Sequence, residues 1–438
     1  MTQQATAPRF DAPAGTFTGW RSDGVVRATG IRYARAERFA PPVAEPPADG
    51  VVAATSWAPA CPQPPAPELE EVVADPMGDL VADEDCLRLS VTVPEDAGPG
   101  AGLPVMVWVH GGSYVSGAGD APAHDPAALV REQRVVVVSV TYRLGVLGFL
   151  GGRDGRPANL GLLDLLQALR WVRRNVAAFG GDPGTVTLFG ESAGGDAIAH
   201  LMAAGGARGL FRRAVVSSAP LGLSRGRARM SAAMAQEARS LDAAAPVQDV
   251  VDAQARVAAR ARRSGLNAAM PFGTQYGFPP LPAEADLPAA WARTAPEVDL
   301  LVGRNSREVA LFVALLPPAA RLARVPVAGR VLVEPLVRAL TRRIYARDAE
   351  RFARRHRAAG GRAWHYTLSF GAGALTGAHA VDLPLLFPHR STWEASPLLA
   401  GLPWDDVVAA GREVRRVWAG FARTGEAASA PCLQVSGG

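Results

Sequence analysis

The 438-residue sequence contains no lysine, and all 46 of its basic residues are arginines. Without that amine the chain can neither form a lysine Schiff base nor build a Walker-type phosphate loop. Cysteine is also scarce: there are three, and none shows the Cys-x-x-Cys or Cys/His spacing of a zinc site. We therefore expect no disulfide framework, no metal and no cofactor.

Long apolar runs are absent as well. No window reaches the ~18 uninterrupted apolar residues of a membrane span, and residues 1–10 contain neither an apolar stretch nor a small-residue cleavage site. The net charge of +5 follows a general bias for arginine rather than a basic patch. The sequence thus predicts a cytoplasmic protein, a monomer or weak homo-oligomer, that binds neither nucleic acid nor membrane.

The composition that remains, 48% hydrophobic against 20% charged residues, is that of a chain that buries a large core. Apolar β-type runs alternate with helical segments, which predicts an α/β fold with a mostly parallel central sheet and helices on both faces. Short strands around Ser22-Asp23-Gly24 predict an N-terminal antiparallel hairpin. The predicted strands are 87–93, 104–109, 134–142, 185–189, 214–217, 298–302 and 363–368, and the clearest predicted helix is 160–179.

Two segments interrupt this alternation. Residues 221–280 are rich in alanine and arginine, then in glycine and proline, and we expect a helical excursion that acts as a lid or a pocket wall. Residues 321–357 are predicted to be helical, with Leu336, Leu340 and Ile344 on one face and solvated arginines on the other.

The most specific local pattern is Gly190-Glu-Ser-Ala-Gly-Gly195, which a β-type run enters and a helical segment, 193–204, leaves. A strand–turn–helix elbow of this kind holds a serine in a strained turn with its hydroxyl exposed. It predicts Ser192 as a nucleophile, which then needs a base and an oxyanion site. The small residues of His110-Gly-Gly-Ser-Tyr114, directly after a predicted strand, are candidates for the backbone N–H donors of that site.

In this elbow architecture the acid and then the histidine follow the serine along the chain. Four histidines come late enough, and His379 lies in a loop after a predicted strand, whereas His356 and His365 lie within a helix and a strand; the fourth is His389. For the acid, Glu308 competes with Asp299 and Asp382. Glu308 is favoured over Asp299 because catalytic groups lie beyond the carboxyl ends of strands.

Together these motifs resemble the type-B carboxylesterase and cholinesterase family of α/β-hydrolases, and among its members the bacterial para-nitrobenzyl-esterase-like enzymes. The likeness extends from Gly30-Ile-Arg-Tyr-Ala34 to Phe421-Ala-Arg-Thr-Gly425, nearly the whole chain. Its further landmarks are Glu84-Asp-Cys-Leu87, Thr141-Tyr-Arg-Leu-Gly145, Asn159-Leu-Gly-Leu-Leu-Asp164 and Phe179-Gly-Gly-Asp-Pro183. The resemblance implies a single α/β-hydrolase domain over residues 1–438.

It also implies a triad of Ser192, His379 and Glu308, with an acyl-enzyme formed from a small-molecule ester. The oxyanion donors that it implies are the N–H groups of Gly112, Ser113 and Ala193. By the same resemblance, two buried ion pairs form, Arg38–Glu84 and Arg143–Asp164, and two cysteines, Cys61 and Cys86, occupy the positions of the disulfide of secreted members. We expect these two thiols to be reduced in a cytosol, or to form the disulfide only after release of the protein.

The chain departs from the family pattern at three positions of the site. Ser113 replaces the third glycine of the oxyanion loop, Val309 follows the acid in place of glycine, and Asp382 stands where glutamate is usual. The chain is also shorter than typical members, which leads us to expect a missing C-terminal strand and a more open pocket.

Two alternatives to ester hydrolysis stay open: amide or carbamate hydrolysis with the same triad, and a non-catalytic binding module of the same fold. Glu191, beside the nucleophile, either meets a cationic substrate group or pairs within the protein. Five aromatic residues either line an apolar substrate site or pack in the core, namely Phe272, Tyr276, Phe278, Phe312 and Trp393.

Overall fold

The computed structural model describes residues 7–152, 155–316, 321–322, 325 and 329–437. Its strands are β1 (Arg9–Ala12), β2 (Gly15–Thr18), β3 (Trp20–Ser22), β4 (Val25–Arg32), β5 (Ala34–Arg35), β6 (Val43–Ala44), β7 (Val51–Ala53), β8 (Arg88–Pro94), β9 (Leu103–Val109), β10 (Val136–Val140), β11 (Gly181–Glu191), β12 (Arg213–Ser217), β13 (Asp299–Asn305), β14 (Ala363–Leu368) and β15 (Leu433–Gly437). Its α-helices are α1 (Pro67–Glu70), α2 (Ala127–Gln133), α3 (Gly145–Gly148), α4 (Leu160–Asn175), α5 (Ala193–Leu201), α6 (Ala228–Glu237), α7 (Val247–Ala259), α8 (Leu287–Thr294), α9 (Ala310–Ala314), α10 (Glu334–Thr341), α11 (Arg347–Ala358), α12 (Leu383–Leu386), α13 (Arg390–Trp393) and α14 (Trp404–Thr424).

Ten of these strands form the central sheet, in the order β15-β14-β13-β12-β11-β9-β10-β8-β4-β3. Strands β14, β13, β12, β11, β9 and β10 are parallel to one another. The outer strands β8, β4 and β3 on one side, and β15 on the other, pair antiparallel. All five residues of β10 are buried, as expected of a strand covered on both faces. The predicted mostly parallel sheet, with helices on both faces and an N-terminal hairpin (β3 and β4), is confirmed.

The predicted helix 160–179 forms in two pieces. Residues Leu160–Asn175 are α-helical, the last turn tightens to a 3₁₀ helix over Val176–Phe179, and Gly180 ends it at φ 83°. A left-handed residue after the last turn is a common helix end, and glycine adopts it without strain. Among the described residues, no helix combines the length and the apolar character that crossing a bilayer requires.

The expectation that the C-terminal strand is missing is wrong. Strand β15 pairs antiparallel with β14, and Leu433 lies opposite Leu368. Both leucine side chains are fully buried, so this short edge strand covers core that would otherwise be exposed. The strand forms despite the shorter chain because β14 offers an unpaired edge for its backbone.

The arginine-rich segment 321–357 is helical from residue 329 onward, and its predicted apolar face is confirmed in part. Ile344 is buried and Leu340 packs against the core, but Leu336 is 51% exposed and its neighbour Val337 is buried instead. A π-helical turn over Arg342–Ala346 separates α10 from α11. Residues 323–324 and 326–328 of this segment lie outside the described residues.

Both ion pairs implied by the resemblance form, but only one is buried. Asp164 accepts from Arg143 Nε at 2.8 Å and from Nη2 at 2.7 Å, and both side chains lie in the interior. The pair of Arg38 with Glu84 is half-buried, since 34% of the Glu84 side chain is exposed. The Arg38 guanidinium also donates to the carbonyls of Ala243 and Ala245, in the loop before α7.

Cys61 and Cys86 are both buried and both free thiols. The hydrogen bond to the Cys61 sulfur, together with burial, raises the pKa of the Cys86 thiol well above its usual value. Cys86 therefore stays a protonated, unreactive side chain at neutral pH.

Candidate active site

Ser192 lies in the turn between β11 and α5, with φ 56° and ψ −122°. This left-handed backbone is costly for a residue with a side chain, and the two flanking glycines explain how the turn remains possible. A Cβ on Gly194 would lie 2.0 Å from the Val109 carbonyl oxygen, and one on Gly190 would lie 2.6 Å from the same atom. The turn is fixed further by the Ser192 N–H, which donates to the Ser217 carbonyl of β12 at 3.0 Å.

His379 lies in the loop that follows β14 and faces the serine. Its Nε2 is 2.9 Å from Ser192 Oγ, and its Nδ1 is 2.6 Å from Oε2 of Glu308. The backbone joins the two loops as well, because the His379 N–H donates to the Glu308 carbonyl at 3.1 Å. The structure therefore brings His379 together with Glu308, 71 residues earlier in the chain, and with Ser192, 187 residues earlier.

Glu308 is fully buried beyond the end of β13. Its second oxygen, Oε1, accepts from the Asn305 N–H at 2.7 Å, which fixes the carboxylate toward His379. The competing acids bind other side chains. Asp299 is at the opposite end of β13, where Arg362 Nε and Nη2 donate to it at 2.9 and 2.8 Å. Asp382 accepts from the Asn305 side chain at 3.0 Å and so holds the residue that positions Glu308.

The other late histidines have different surroundings. His356 Nε2 lies 2.8 Å from the Val298 carbonyl, and His365 is in β14, as the sequence predicted. His389 Nδ1 contacts the hydroxyl of Thr392 at 2.8 Å.

Glu191 is directed at the same nitrogen of His379 that meets the serine. Its Oε1 lies 3.1 Å from His379 Nε2, and the residue is 3% exposed. Burial raises the pKa of Glu191 to about 8. For His379, burial works against protonation, but the carboxylates of Glu191 and Glu308 outweigh it and raise the pKa to about 9. Glu191 thus lies within ion-pair distance of His379.

The loop after β9 has the backbone that a cradle of N–H groups requires. Three consecutive residues have positive φ: Gly112 at 101°, Ser113 at 54° and Tyr114 at 63°. Ala193 is the first residue of α5, where N–H groups have no partner within the helix. Among the described residues, the N–H groups of Gly112, Ser113 and Ala193 have no acceptor within the chain, which leaves them available to a ligand.

Of the five aromatic candidates, Phe312 lies at this site. Its ring centroid is 5.3 Å from that of His379, and it is 40% exposed. Phe272 and Trp393 belong to the core, Tyr276 binds His200, and the Phe278 ring lies against Gly152. Sequence reasoning missed Tyr345, which is buried 5.4 Å from His379, because the π-helical turn that places it there has no clear sequence pattern.

The serine lies on a strand–turn–helix elbow, and later loops at the carboxyl edge of a mostly parallel sheet supply the histidine and the acid. This arrangement defines the class of α/β-hydrolases. Comparison with known proteins narrows this class. Residues 8–326 match the model of the carboxylesterase family, and the chain belongs to that family. It is an ester-hydrolysing enzyme, so the resemblance found in the sequence and the predicted activity are confirmed.

The relatives include proteins that align over nearly the whole chain. A probable N-octanoylanthranilate hydrolase from Rhodococcus erythropolis is 40% identical over 94% of this chain and 92% of its own length. Phenmedipham hydrolase from Pseudarthrobacter oxydans is 30% identical over 96% and 91%. Among solved structures, a thermophilic para-nitrobenzyl esterase superposes with a TM-score of 0.80 at 27% identity, covering 99% of this chain and 94% of that one.

Proposed function

We propose that Ser192, His379 and Glu308 are the catalytic triad of this enzyme and that ester cleavage passes through an acyl-enzyme. The observation that carries the proposal is the line of hydrogen bonds from Ser192 Oγ through both nitrogens of His379 to Glu308, at 2.9 and 2.6 Å. A base must reach the proton that it removes, and both distances fall within hydrogen-bonding reach.

In the first half of the reaction, Ser192 Oγ attacks the ester carbonyl carbon while its proton passes to His379 Nε2. The carbonyl oxygen becomes an oxyanion that accepts from the N–H groups of Gly112, Ser113 and Ala193. The bond to the alcohol oxygen then breaks, and that oxygen takes the proton from Nε2. The acyl group remains on Ser192.

In the second half, Nε2 takes a proton from water, whose oxygen attacks the acyl carbon. Collapse of the new oxyanion breaks the bond to Ser192 Oγ, which recovers its proton from Nε2, and the carboxylic acid leaves. Throughout, Glu308 accepts the Nδ1–H, which fixes the tautomer and stabilises the imidazolium that forms in each half.

Amide or carbamate hydrolysis with the same residues is the second candidate. It is favoured by the Rhodococcus relative, whose named substrate, N-octanoylanthranilate, carries its octanoyl group on nitrogen. The chemistry differs only in the leaving atom, which receives the proton from His379. The exposed ring of Phe312 beside His379 offers an apolar surface to either type of substrate.

The test is turnover of a matched octanoyl ester and octanoyl anilide by the wild type, by Ser192→Ala and by Ser391→Ala, an exposed serine that serves as the control. We expect Ser192→Ala to lose about six orders of magnitude in kcat on whichever substrate is cleaved, while the control stays at the wild-type rate. The ratio of the two wild-type rates distinguishes esterase from amidase. Retention of most activity by Ser192→Ala would overturn the triad.

We also propose that residues 1–438 act as one hydrolase domain in which 221–280 is a pocket wall rather than a lid. In support, Leu223, Met230, Val250 and Phe272 lie in the same hydrophobic core cluster as the sheet. Limited proteolysis tests this: a wall resists cleavage between 221 and 280 in the native protein, and a lid is cut there first.

A cytoplasmic location and a monomeric or weakly homo-oligomeric state are further proposals. The free thiols of Cys61 and Cys86 are compatible with a reducing compartment. Cell fractionation and light scattering test the two statements separately.

A further inference from the structure

The nucleophile's helix carries a buried carboxylate that takes no part in the triad. Asp196 lies one turn after Ser192 in α5, and its N–H donates to the Ser192 carbonyl at 2.9 Å. The side chain is fully buried. Burying a carboxylate costs folding free energy unless hydrogen-bond donors meet its oxygens. The donors around Asp196 therefore indicate which segments it holds in place.

Asp196 has donors on two other segments of the chain. The Tyr114 hydroxyl donates to Oδ2 at 2.7 Å, and the Ser224 hydroxyl donates to Oδ1 at 2.6 Å. His200, one turn further along α5, places Nδ1 3.3 Å from Oδ2, and its Nε2 lies 2.8 Å from the Tyr276 hydroxyl. Burial raises the pKa of Asp196, but the nearby His200 and these hydrogen bonds outweigh it and hold the pKa below its usual value.

Tyr114 belongs to the loop that supplies two of the three oxyanion donors, and its backbone is strained. Tyr114 and Ser113 both have φ in the left-handed region, which side chains adopt only where the surroundings impose it. The loop is held by three contacts of Tyr114. Its carbonyl accepts from the Gly145 N–H at 2.7 Å, its ring packs 4.3 Å from Phe149, and its hydroxyl meets Asp196.

We propose that Asp196 is a positioning residue for the oxyanion hole. Through Tyr114, it fixes the N–H groups of Gly112 and Ser113 relative to the helix that bears Ser192 and the N–H of Ala193. The inference rests on the proposed function. The oxyanion donors act on the transition state more than on the bound substrate, so a misplaced loop lowers kcat and leaves KM nearly unchanged.

The test compares two variants that each remove one buried tyrosine hydroxyl. Tyr114→Phe frees the loop from Asp196 and keeps the ring against Phe149. Tyr33→Phe, the control, removes a hydroxyl that donates to the Thr141 carbonyl at 2.9 Å and not to Asp196. For each variant we would measure kcat and KM on a p-nitrophenyl ester, the melting temperature, and the inhibition constant of an aryl boronate whose serine adduct places an oxygen in the oxyanion hole.

We expect Tyr114→Phe to lower kcat by about 10- to 100-fold, less than the complete loss of one donor costs. The boronate should bind more weakly by a similar factor, with KM within about twofold. Tyr33→Phe should lower the melting temperature and leave kcat and boronate binding unchanged. A wild-type kcat in Tyr114→Phe, or an equal loss in the control, overturns the inference.

A second variant, Asp196→Asn, keeps an acceptor oxygen for only one of the Tyr114 and Ser224 hydroxyls and should also lower kcat. If Tyr114→Phe does not fold, a wild-type kcat in Asp196→Asn overturns the inference instead. A fluorophosphonate probe that labels the nucleophile separates this failure from failure of the triad. If the wild type is labelled at Ser192 and neither variant changes kcat, only the positioning role is lost.

Discussion

Glu191 is the side chain whose replacement tests the electrostatics of this site most directly. Its Oε1 is 3.1 Å from His379 Nε2, the nitrogen that accepts the serine proton in the proposed mechanism. Glu191→Gln preserves the shape of the side chain and removes its charge. Because the proposed mechanism needs a neutral His379, we expect the acid limb of kcat/KM to follow the pKa of that histidine, which the nearby carboxylates raise to about 9.

The size of the shift follows from the distance. At an effective dielectric constant of about 20, a full negative charge this close stabilises the imidazolium by about 5 kcal/mol, equivalent to roughly 4 pKa units. The pKa of His379 rises only from its ordinary 6.5 to about 9, because burial opposes the imidazolium and Glu308 supplies part of the rise. We therefore expect the acid limb to move to lower pH by about one to two units.

The assay is kcat/KM as a function of pH for the wild type and Glu191→Gln, on an ester that is stable over the range. The control is Glu394→Gln, an exposed carboxylate paired with Arg390 on α13, which should leave the profile unchanged. An acid limb that stays in place or moves to higher pH refutes the argument, since it would mean that the Glu191 charge does not act on His379.

Two further variants probe the acid and the buried ion pair. Glu308→Gln should lower kcat by about 10⁴-fold. The Gln side chain has a single acceptor oxygen, so it can accept from the Asn305 N–H or from His379 Nδ1 but not from both. A loss below tenfold in the steady-state rate on the octanoyl ester would contradict this. Asp164→Ala leaves the Arg143 guanidinium buried without its partner and should cost about 3–5 kcal/mol of unfolding free energy, read from the shift in urea midpoint at constant slope. Glu394→Ala, at an exposed pair, should hardly move that midpoint, and equal shifts in the two variants would contradict the burial argument.

Contiguous sequence determined the local architecture of the site. The strand, tight turn and helix around Ser192 are encoded in neighbouring residues, because the apolar run of β11 and the glycines at 190 and 194 act over a few residues. The same holds for α4, whose apolar spacing and terminal glycine fixed both its start and its end. The order of serine, acid and histidine then left four histidines, and the loop position of His379 favoured it before any distance was known.

Only the tertiary structure decided which groups meet across the sheet. The sequence left Asp299 and Asp382 as alternatives to Glu308, and their partners in the structure separate them. Asp299 lies at the opposite end of β13 and binds Arg362, Asp382 accepts from the Asn305 side chain, and Glu308 meets His379. The contact of Glu191 with His379 joins residues 188 positions apart, and that of Asp196 with Tyr114 joins residues 82 positions apart. Likewise, β15 depends on the free edge of β14. Such contacts are set by packing between distant segments, which hydrophobic periodicity along the chain does not encode.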